Sequence, residues 1–122
     1  MALSPFSSDG TEIIVAASQS RLRVQFETIE LRVVTGTDAG LEISLGLPTV
    51  RIGTAPDNDV VLTDRAVSRR HAQIASTAEG WMLRDLSSEN GTYVNGQRVT
   101  ERLLADGDRV QFGTSRFLFK SA

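Results

Sequence analysis

Hydrophobic and charged residues alternate along the chain in short runs. In residues 29–33 every apolar residue is followed by a charged one until the run ends. This spacing puts the apolar side chains on one face of a β-strand and the charged ones on the other. The chain shows no sustained apolar period of 3.6 residues, so the pattern predicts an all-β fold.

Runs with β character occur throughout, separated by turn residues such as glycine, asparagine and aspartate. We predict strands at residues 12–16, 22–26, 29–35, 41–45, 49–52, 60–62, 71–75, 81–84, 92–94, 110–112 and 117–119. Asn95-Gly96 is a dipeptide suited to a two-residue hairpin turn, because both turn positions take positive φ. Residues 109–112 and 116–119 are predicted to form a closing hairpin around residues 113–115. Many closely spaced strands favour an antiparallel sandwich or barrel.

Composition and charge narrow the class of protein. The chain has 122 residues, 40% hydrophobic, with a formal net charge of −2, which fits one compact domain. Basic and acidic residues nearly balance, so we expect no nucleic-acid binding by this domain. We find no run of membrane-spanning length and no secretion signal, and expect no membrane partner. The absence of cysteine excludes disulfides and thiolate metal sites and fits a cytoplasmic protein.

Residues 1–28 are interpreted as an N-terminal extension, and residues 29–122 as the domain. The first ten residues are rich in serine and indicate a flexible lead-in. The following stretch would add a strand to a sheet edge or dock on a second copy, which gives self-association through this segment as a hypothesis. A further hypothesis makes Thr11, when phosphorylated, an internal or trans ligand.

Catalysis and metal binding find little support. His71 is the only histidine, so a catalytic triad would need it together with nearby Ser68 and Asp64. Triads are usually assembled from separate elements, and one short loop would have to present all three groups here. The acidic turns 57–59 and 106–108 lack the ligand spacing of a calcium loop. We therefore predict that the protein is not an enzyme and uses no metal or cofactor.

Two polar segments remain as candidates for binding. Residues 64–72 combine a serine, arginines and a histidine, and residues 85–96 form a polar loop that runs into a hairpin. Arginine offers bidentate, charge-assisted hydrogen bonds to anions such as phosphate, and serine adds a neutral donor. An asparagine side chain can both donate to and accept from a peptide backbone. Taken singly, each segment is better explained as a solvated loop with turn formers than as a binding site.

Taken together, the segments carry a family resemblance. The order and spacing of residues 51–53, 58–62, 68–71 and 90–96, with 104–108 and 112–113 closing the series, resembles the forkhead-associated (FHA) family, across about residues 31–119. The resemblance implies a two-sheet β-sandwich of about eleven strands whose loops bind phosphothreonine peptides. It extends to the N-terminal FHA domains of bacterial signalling proteins and transcription regulators.

The resemblance also implies roles for individual residues. Ser68 and Arg69 would bind the phosphate, and Asn90 would bind the peptide backbone. Structural support of the loops is expected from three residues, Gly53, His71 and Gly91.

The sequence departs from the family pattern at two positions. Thr54 stands where the family usually has a phosphate-binding arginine. Among the arginines that could substitute, Arg70 is preferred to Arg65, because Arg51 falls on the opposite face of its strand. The second departure is Glu89, a carboxylate beside the expected phosphate site. Two hypotheses therefore stand: a phosphothreonine-peptide-binding module for signal transduction, and a scaffold of the same fold that binds a partner or a second copy without phosphate.

Overall fold

The computed structural model describes residues 28–121, which fold into strands and turns without a helix. The strands are β1 (Ile29–Thr35), β2 (Glu42–Leu45), β3 (Thr49–Gly53), β4 (Val60–Val61), β5 (Ala72–Thr77), β6 (Gly80–Asp85), β7 (Thr92–Val94), β8 (Gln97–Val99), β9 (Glu101–Leu104), β10 (Arg109–Phe112) and β11 (Ser115–Ser121). The strands predicted at 12–16 and 22–26 lie outside the described residues.

The strands form two sheets that pack face to face. The six-stranded sheet has the order β2-β1-β11-β10-β7-β8, and the five-stranded sheet has the order β4-β3-β5-β6-β9. This confirms the predicted two-sheet sandwich of eleven strands. One pairing departs from the antiparallel prediction, because β4 runs parallel to β3 and pairs Ile52 with Val60. Two hydrogen bonds hold the start of β4 beside β3. The backbone N–H of Asp59 donates to the carbonyl of Arg51, and the Asp59 carboxylate accepts the backbone N–H of Arg51.

Alternation along the strands builds the core. In β1 the apolar residues Ile29, Leu31 and Val33 are buried and the charged residues between them are exposed. Three phenylalanines of the closing hairpin, Phe112, Phe117 and Phe119, are fully buried between the sheets together with His71. The rings of Phe112 and Phe117 meet edge to face at 5.2 Å, a favoured arrangement for aromatic pairs. The hydrophobic spacing of the sequence therefore corresponds directly to the inner faces of both sheets.

One hairpin turn has the predicted length and another is shorter than predicted. Asn95 and Gly96 have φ of 51° and 86° and connect β7 to β8 by the predicted two-residue turn. The β10–β11 turn has two residues and not three, because Ser115 is the first residue of β11. Ser115 is drawn into the strand by a 2.7 Å hydrogen bond from its hydroxyl to Asp64. Register in this hairpin is thus fixed partly by a contact that is distant in sequence.

Candidate functional site

The loops after β3 and after β4 are joined along their backbones. The N–H of Thr54 donates to the carbonyl of Ser68, and the N–H of Ala55 donates to the carbonyl of Arg69, both at 3.1 Å. Thr54 itself is half-buried, whereas the side chain of Arg69 is exposed. Thr54, the position at which the family usually has a phosphate-binding arginine, therefore lies directly beside the segment that carries Ser68.

Gly53 and Asn58 make this close approach possible. A Cβ atom at Gly53 would lie 2.1 Å from the carbonyl oxygen of Arg69, so any side chain here would push the two loops apart. The buried amide of Asn58 donates to the carbonyls of Arg69 and Ala55, at 2.8 and 2.9 Å. Glycine at 53 supports the site by allowing the contact, and Asn58 is a supporting residue that the sequence did not single out.

His71 links the loop after β4 to the loop after β6. Its Nδ1 accepts the backbone N–H of Ser68 at 3.0 Å, which leaves the proton on Nε2, 2.9 Å from the carbonyl of Gly91. Burial lowers the pKa of His71, although the Gly91 carbonyl and nearby Asp85 and Asp64 act in the opposite direction. The imidazole is therefore a neutral brace with both nitrogens in use. It has no free nitrogen to activate the Ser68 hydroxyl, which argues against a triad.

Ser68 and Asn90 lie side by side on neighbouring loops. The Ser68 hydroxyl oxygen accepts the backbone N–H of Glu89 at 3.1 Å, which leaves the hydroxyl proton available for a ligand. The side-chain amide of Asn90 donates to the carbonyl of Ala66 at 2.8 Å and leaves its oxygen available. Ser68 is half-exposed and Asn90 is exposed. Considering residues 28–121 alone, the two residues thus present unused hydrogen-bonding atoms at one end of the sandwich.

A half-buried carboxylate holds the loop after β6 in shape. Asp85 accepts hydrogen bonds from the backbone and hydroxyl of Ser88 and, at 2.7 Å, from the hydroxyl of Thr92. Ser88 in turn accepts the N–H of Gly91 at 3.0 Å. Burial alone would raise the pKa of Asp85, but the bonds from Ser88 and Thr92 outweigh it and hold the pKa below its usual value. Sequence reasoning missed this network, although Asp and Ser three residues apart is a common turn signal.

A second carboxylate ties the loop after β4 to the closing hairpin. Asp64 is 4% exposed. It accepts the N–H of Ala66, the N–H and hydroxyl of Thr114, and the hydroxyl of Ser115. Burial alone would raise the pKa of Asp64, but these hydrogen bonds outweigh it and keep the pKa below its usual value. Asp64 is thus an anchor of the loop that presents Ser68.

The arginines near the site differ in availability. Arg70, the preferred substitute for the missing arginine, donates to both carboxylate oxygens of Asp57 at 2.9 and 3.2 Å. The bond from Arg70 lowers the pKa of Asp57. Arg65 and Arg69 are exposed and make no ion pair within residues 28–121. As far as the described part of the chain goes, Arg69 and Arg65 are therefore the cations of this loop that remain available to an anion.

Two further sequence predictions can be placed. Arg51 is exposed on the outer face of β3, where it pairs with Gln73, so it points away from the buried side of the strand. Glu89 is also exposed, so its carboxylate faces solvent while its N–H serves Ser68.

The described residues contain no group of His, Cys, Asp and Glu side chains arranged to hold a metal ion. They also contain no helix of the length and apolarity needed to cross a membrane. The N-terminal segment proposed for self-association, with Thr11, lies outside the described residues.

Comparisons with known proteins agree with this architecture. Residues 32–122 match a family model described as the cytoplasmic domain of the inner membrane component of T3SS. The glycogen accumulation regulator GarA of Mycolicibacterium smegmatis is 43% identical over 89 residues, which cover 73% of this chain and 56% of GarA. The chain thus spans about half the length of this curated relative.

Solved FHA domains superpose on most of the chain. A domain studied for phosphothreonine-dependent FHA interactions has 35% identity and a TM-score of 0.69, covering 76% of this chain and 95% of that one. The FHA domain of FhaA, solved with the intracellular domain of Rv3910, has 36% identity and a TM-score of 0.68, covering 75% and 99%. By sequence identity, structural superposition and near-complete coverage of these domains, the chain belongs to the forkhead-associated (FHA) domain family.

Proposed function

We propose that this chain is a binding module for phosphothreonine peptides in signal transduction, and not an enzyme. The main support for this proposal is the hydrogen bonding of Ser68. Its hydroxyl oxygen accepts the N–H of Glu89, which leaves the hydroxyl proton available to a ligand. A hydroxyl fixed in this way is a preorganised donor for an anionic oxygen, and it loses little freedom on binding.

The neighbouring groups complete a site for a phosphorylated side chain. Arg69 supplies an exposed guanidinium with no ion-pair partner among the described residues, suited to a phosphate dianion. Asn90 offers its side-chain oxygen to an N–H of the peptide backbone. Thr54 contributes a neutral hydroxyl in place of the usual guanidinium, so we expect a modest affinity for phosphate. Arg70 joins the site only when Asp57 releases it.

The relatives support this proposal by analogy. One similar solved FHA domain was studied for phosphothreonine-dependent interactions, and another was solved with the intracellular domain of a partner protein. GarA is named as a regulator. We extend this to residues 29–122 as the binding domain, residues 1–28 as an extension beside it, and the whole as a regulatory part of a cytoplasmic bacterial signalling or transcription-regulator protein.

A phosphate-independent scaffold is the competing function. It is favoured by Thr54 and by the Asp57 carboxylate, which occupies Arg70. The two functions differ in one measurable quantity, the ratio of affinities for a phosphorylated and an unphosphorylated peptide.

The test is a calorimetric titration with a phosphothreonine peptide library whose flanking positions are degenerate, beside the same library with threonine. Binding of the phosphorylated library at least about tenfold tighter, or about 1.4 kcal/mol, is the expected result. Equal binding to both libraries, or binding to neither, contradicts the proposal. The tightest phosphorylated sequence then serves as the core peptide for the experiments below.

A further inference from the structure

The outer face of the six-stranded sheet carries a row of residues that starts at the proposed peptide site. Arg98 on β8 lies opposite Tyr93 on β7, Tyr93 lies opposite Gln111 on β10, and Gln111 lies opposite Arg116 on β11. Residues opposite one another in adjacent strands share a face. These side chains therefore form one band across four strands.

This face is basic in a chain that is acidic overall. The formal net charge of the whole chain is −2. The charged residues on this face are Arg32, Arg98, Arg109, Arg116 and Lys120 against Glu30 and Glu42. Of the five basic residues, Arg32 forms an ion pair with Glu42, and Lys120 lies opposite Glu30.

Three arginines on the face have no acidic partner. Within residues 28–121, Arg98, Arg109 and Arg116 make no ion pair, whereas Arg70 and Arg84 each have one. Arg116 makes only a long hydrogen bond of 3.4 Å to Gln111. The excess positive charge is therefore free to attract a negatively charged partner.

An apolar groove runs through the same surface. It has a volume of about 690 Å³, and its lining combines apolar residues such as Val34 and Leu118 with polar ones that include Arg109 and Arg116. Val34 is 55% exposed and sits where the register between β1 and β11 shifts. The groove thus offers space for aliphatic side chains between cationic ones.

The basic face is continuous with the loops that present Asn90. A Cβ atom at Gly91 would lie 2.8 Å from Nε of Arg98, so the guanidinium of Arg98 covers the residue next to Asn90. From Arg98, three interstrand spacings of about 4.8 Å lead to Arg116, a distance of roughly 14 Å. About four or five residues of extended chain, at roughly 3.3 Å each, would cover it.

We propose that this face binds an acidic, aliphatic-containing segment of the partner protein that flanks the phosphothreonine. Carboxylates of the segment meet Arg98, Arg109 and Arg116, and its aliphatic side chains fill the groove beside Val34 and Leu118. The inference rests on the proposed function, because the phosphothreonine anchors the segment. Binding the phosphothreonine and the acidic segment at once would raise the overall affinity, so that a weak phosphate site could still select its partner.

The test uses the core phosphopeptide extended by six alternating glutamate and leucine residues, at its N-terminal end in one peptide and at its C-terminal end in another. A control peptide carries alternating glutamine and serine. At low salt one acidic extension should raise affinity about three- to tenfold, and the gain should shrink at high salt. The double variant Arg109→Gln/Arg116→Gln should lose this gain and bind the unextended core peptide as the unaltered protein does.

The matched control is Arg51→Gln/Arg84→Gln, which removes two charges from the outer face of the other sheet and should keep the gain. No gain from either extension, or a gain that survives Arg109→Gln/Arg116→Gln, overturns the inference while the proposed function stands. Failure of the phosphorylated library to bind the unaltered protein more tightly than the unphosphorylated library refutes both. Tighter binding of a 20-base-pair DNA duplex than of the extended peptides also overturns the inference, because it makes the face a nucleic-acid surface.

Discussion

The guanidinium of Arg70 holds the carboxylate of Asp57 through two hydrogen bonds, at 2.9 and 3.2 Å. Both residues are exposed, with side chains 58% and 64% accessible, so the pair contributes little to stability. Its effect is on the site: the cation that could replace the missing arginine at position 54 is already neutralised.

Asp57→Asn should strengthen phosphopeptide binding. The change frees Arg70 and removes a negative charge from the loop beside Thr54, and a gain of about two- to fivefold is expected for an exposed pair. Calorimetry with the core phosphopeptide measures it. The double variant Asp57→Asn/Arg70→Gln should show no gain. Unchanged or weaker binding by Asp57→Asn alone would rule out a reserve role for Arg70.

Thr54→Arg should strengthen binding more. A guanidinium at this position restores a charged hydrogen bond of about 1.5–3 kcal/mol, equivalent to roughly ten- to a hundredfold in affinity. Thr54→Gln, of similar reach but without charge, is the control and should give little gain. If Thr54→Arg folds and binds no better than the unaltered protein, the phosphate does not lie next to this position.

Ser68 and Asn90 should affect selectivity differently. Ser68→Ala removes a donor to the phosphate and should lower the ratio of phosphorylated to unphosphorylated affinity about tenfold, as should Arg69→Ala. Asn90→Ala removes a contact to the peptide backbone and should weaken both peptides while leaving the ratio almost unchanged. Titrations of each variant with both peptides give the ratios. If the ratio falls for Asn90→Ala and not for Ser68→Ala, Asn90 contacts the phosphate and Ser68 does not, which contradicts the assigned roles.

His71 should make stability depend on pH. Its pKa in the folded protein is lowered from 6.5, so below about pH 6.5 the unfolded chain takes up a proton that the folded chain refuses. The free energy of unfolding should therefore fall as the pH drops from 7.5 to 5.5. His71→Gln should be less stable at pH 7.5 because it disturbs the links to Ser68 and Gly91, and it should show a smaller drop. Urea unfolding at both pH values measures this, and an identical drop would contradict it.

Asp64→Asn should destabilise the fold. The amide replaces an oxygen that accepts from Thr114 and Ser115, and a mismatched buried group costs about 1–3 kcal/mol. Glu79→Gln, in an exposed turn, is the control and should be nearly neutral. Because the pKa of Asp64 is lowered in the folded state, the stabilisation is present above about pH 4 and lost in more acidic solution. Equal melting temperatures for both variants at pH 7 would contradict the anchor role.

The sequence predicts nine of the eleven observed strands and leaves out two, β8 and β9. β1 and β7 have the predicted bounds because their apolar side alternates cleanly. The edge strands β8 and β9 were not predicted because Arg98, Glu101 and Arg102 interrupt any apolar pattern there, whereas the edge strands β2 and β4 were predicted to within one residue. Edge strands tolerate such residues because only one side of each is paired.

The sequence names the residues of the candidate site but not the contacts that support its loops. Ser68, Arg69 and Asn90 were named through the family resemblance, and the structure brings their loops together. The bond from Thr114 to Asp64 spans 50 residues, and that from Arg70 to Asp57 spans 13. No local pattern in a single sequence specifies such partners, so the anchor at Asp64 and the neutralised Arg70 emerge only from the fold.

Amide NMR during a phosphopeptide titration tests most directly whether the loops around Ser68 and Asn90 bind phosphate. The backbone amides of Ser68 and Glu89 and the side-chain amide of Asn90 should show the largest saturable shifts with the phosphorylated core peptide, and little change with its unphosphorylated twin. Shifts that leave these groups unchanged, or equal shifts with both peptides, would contradict the account.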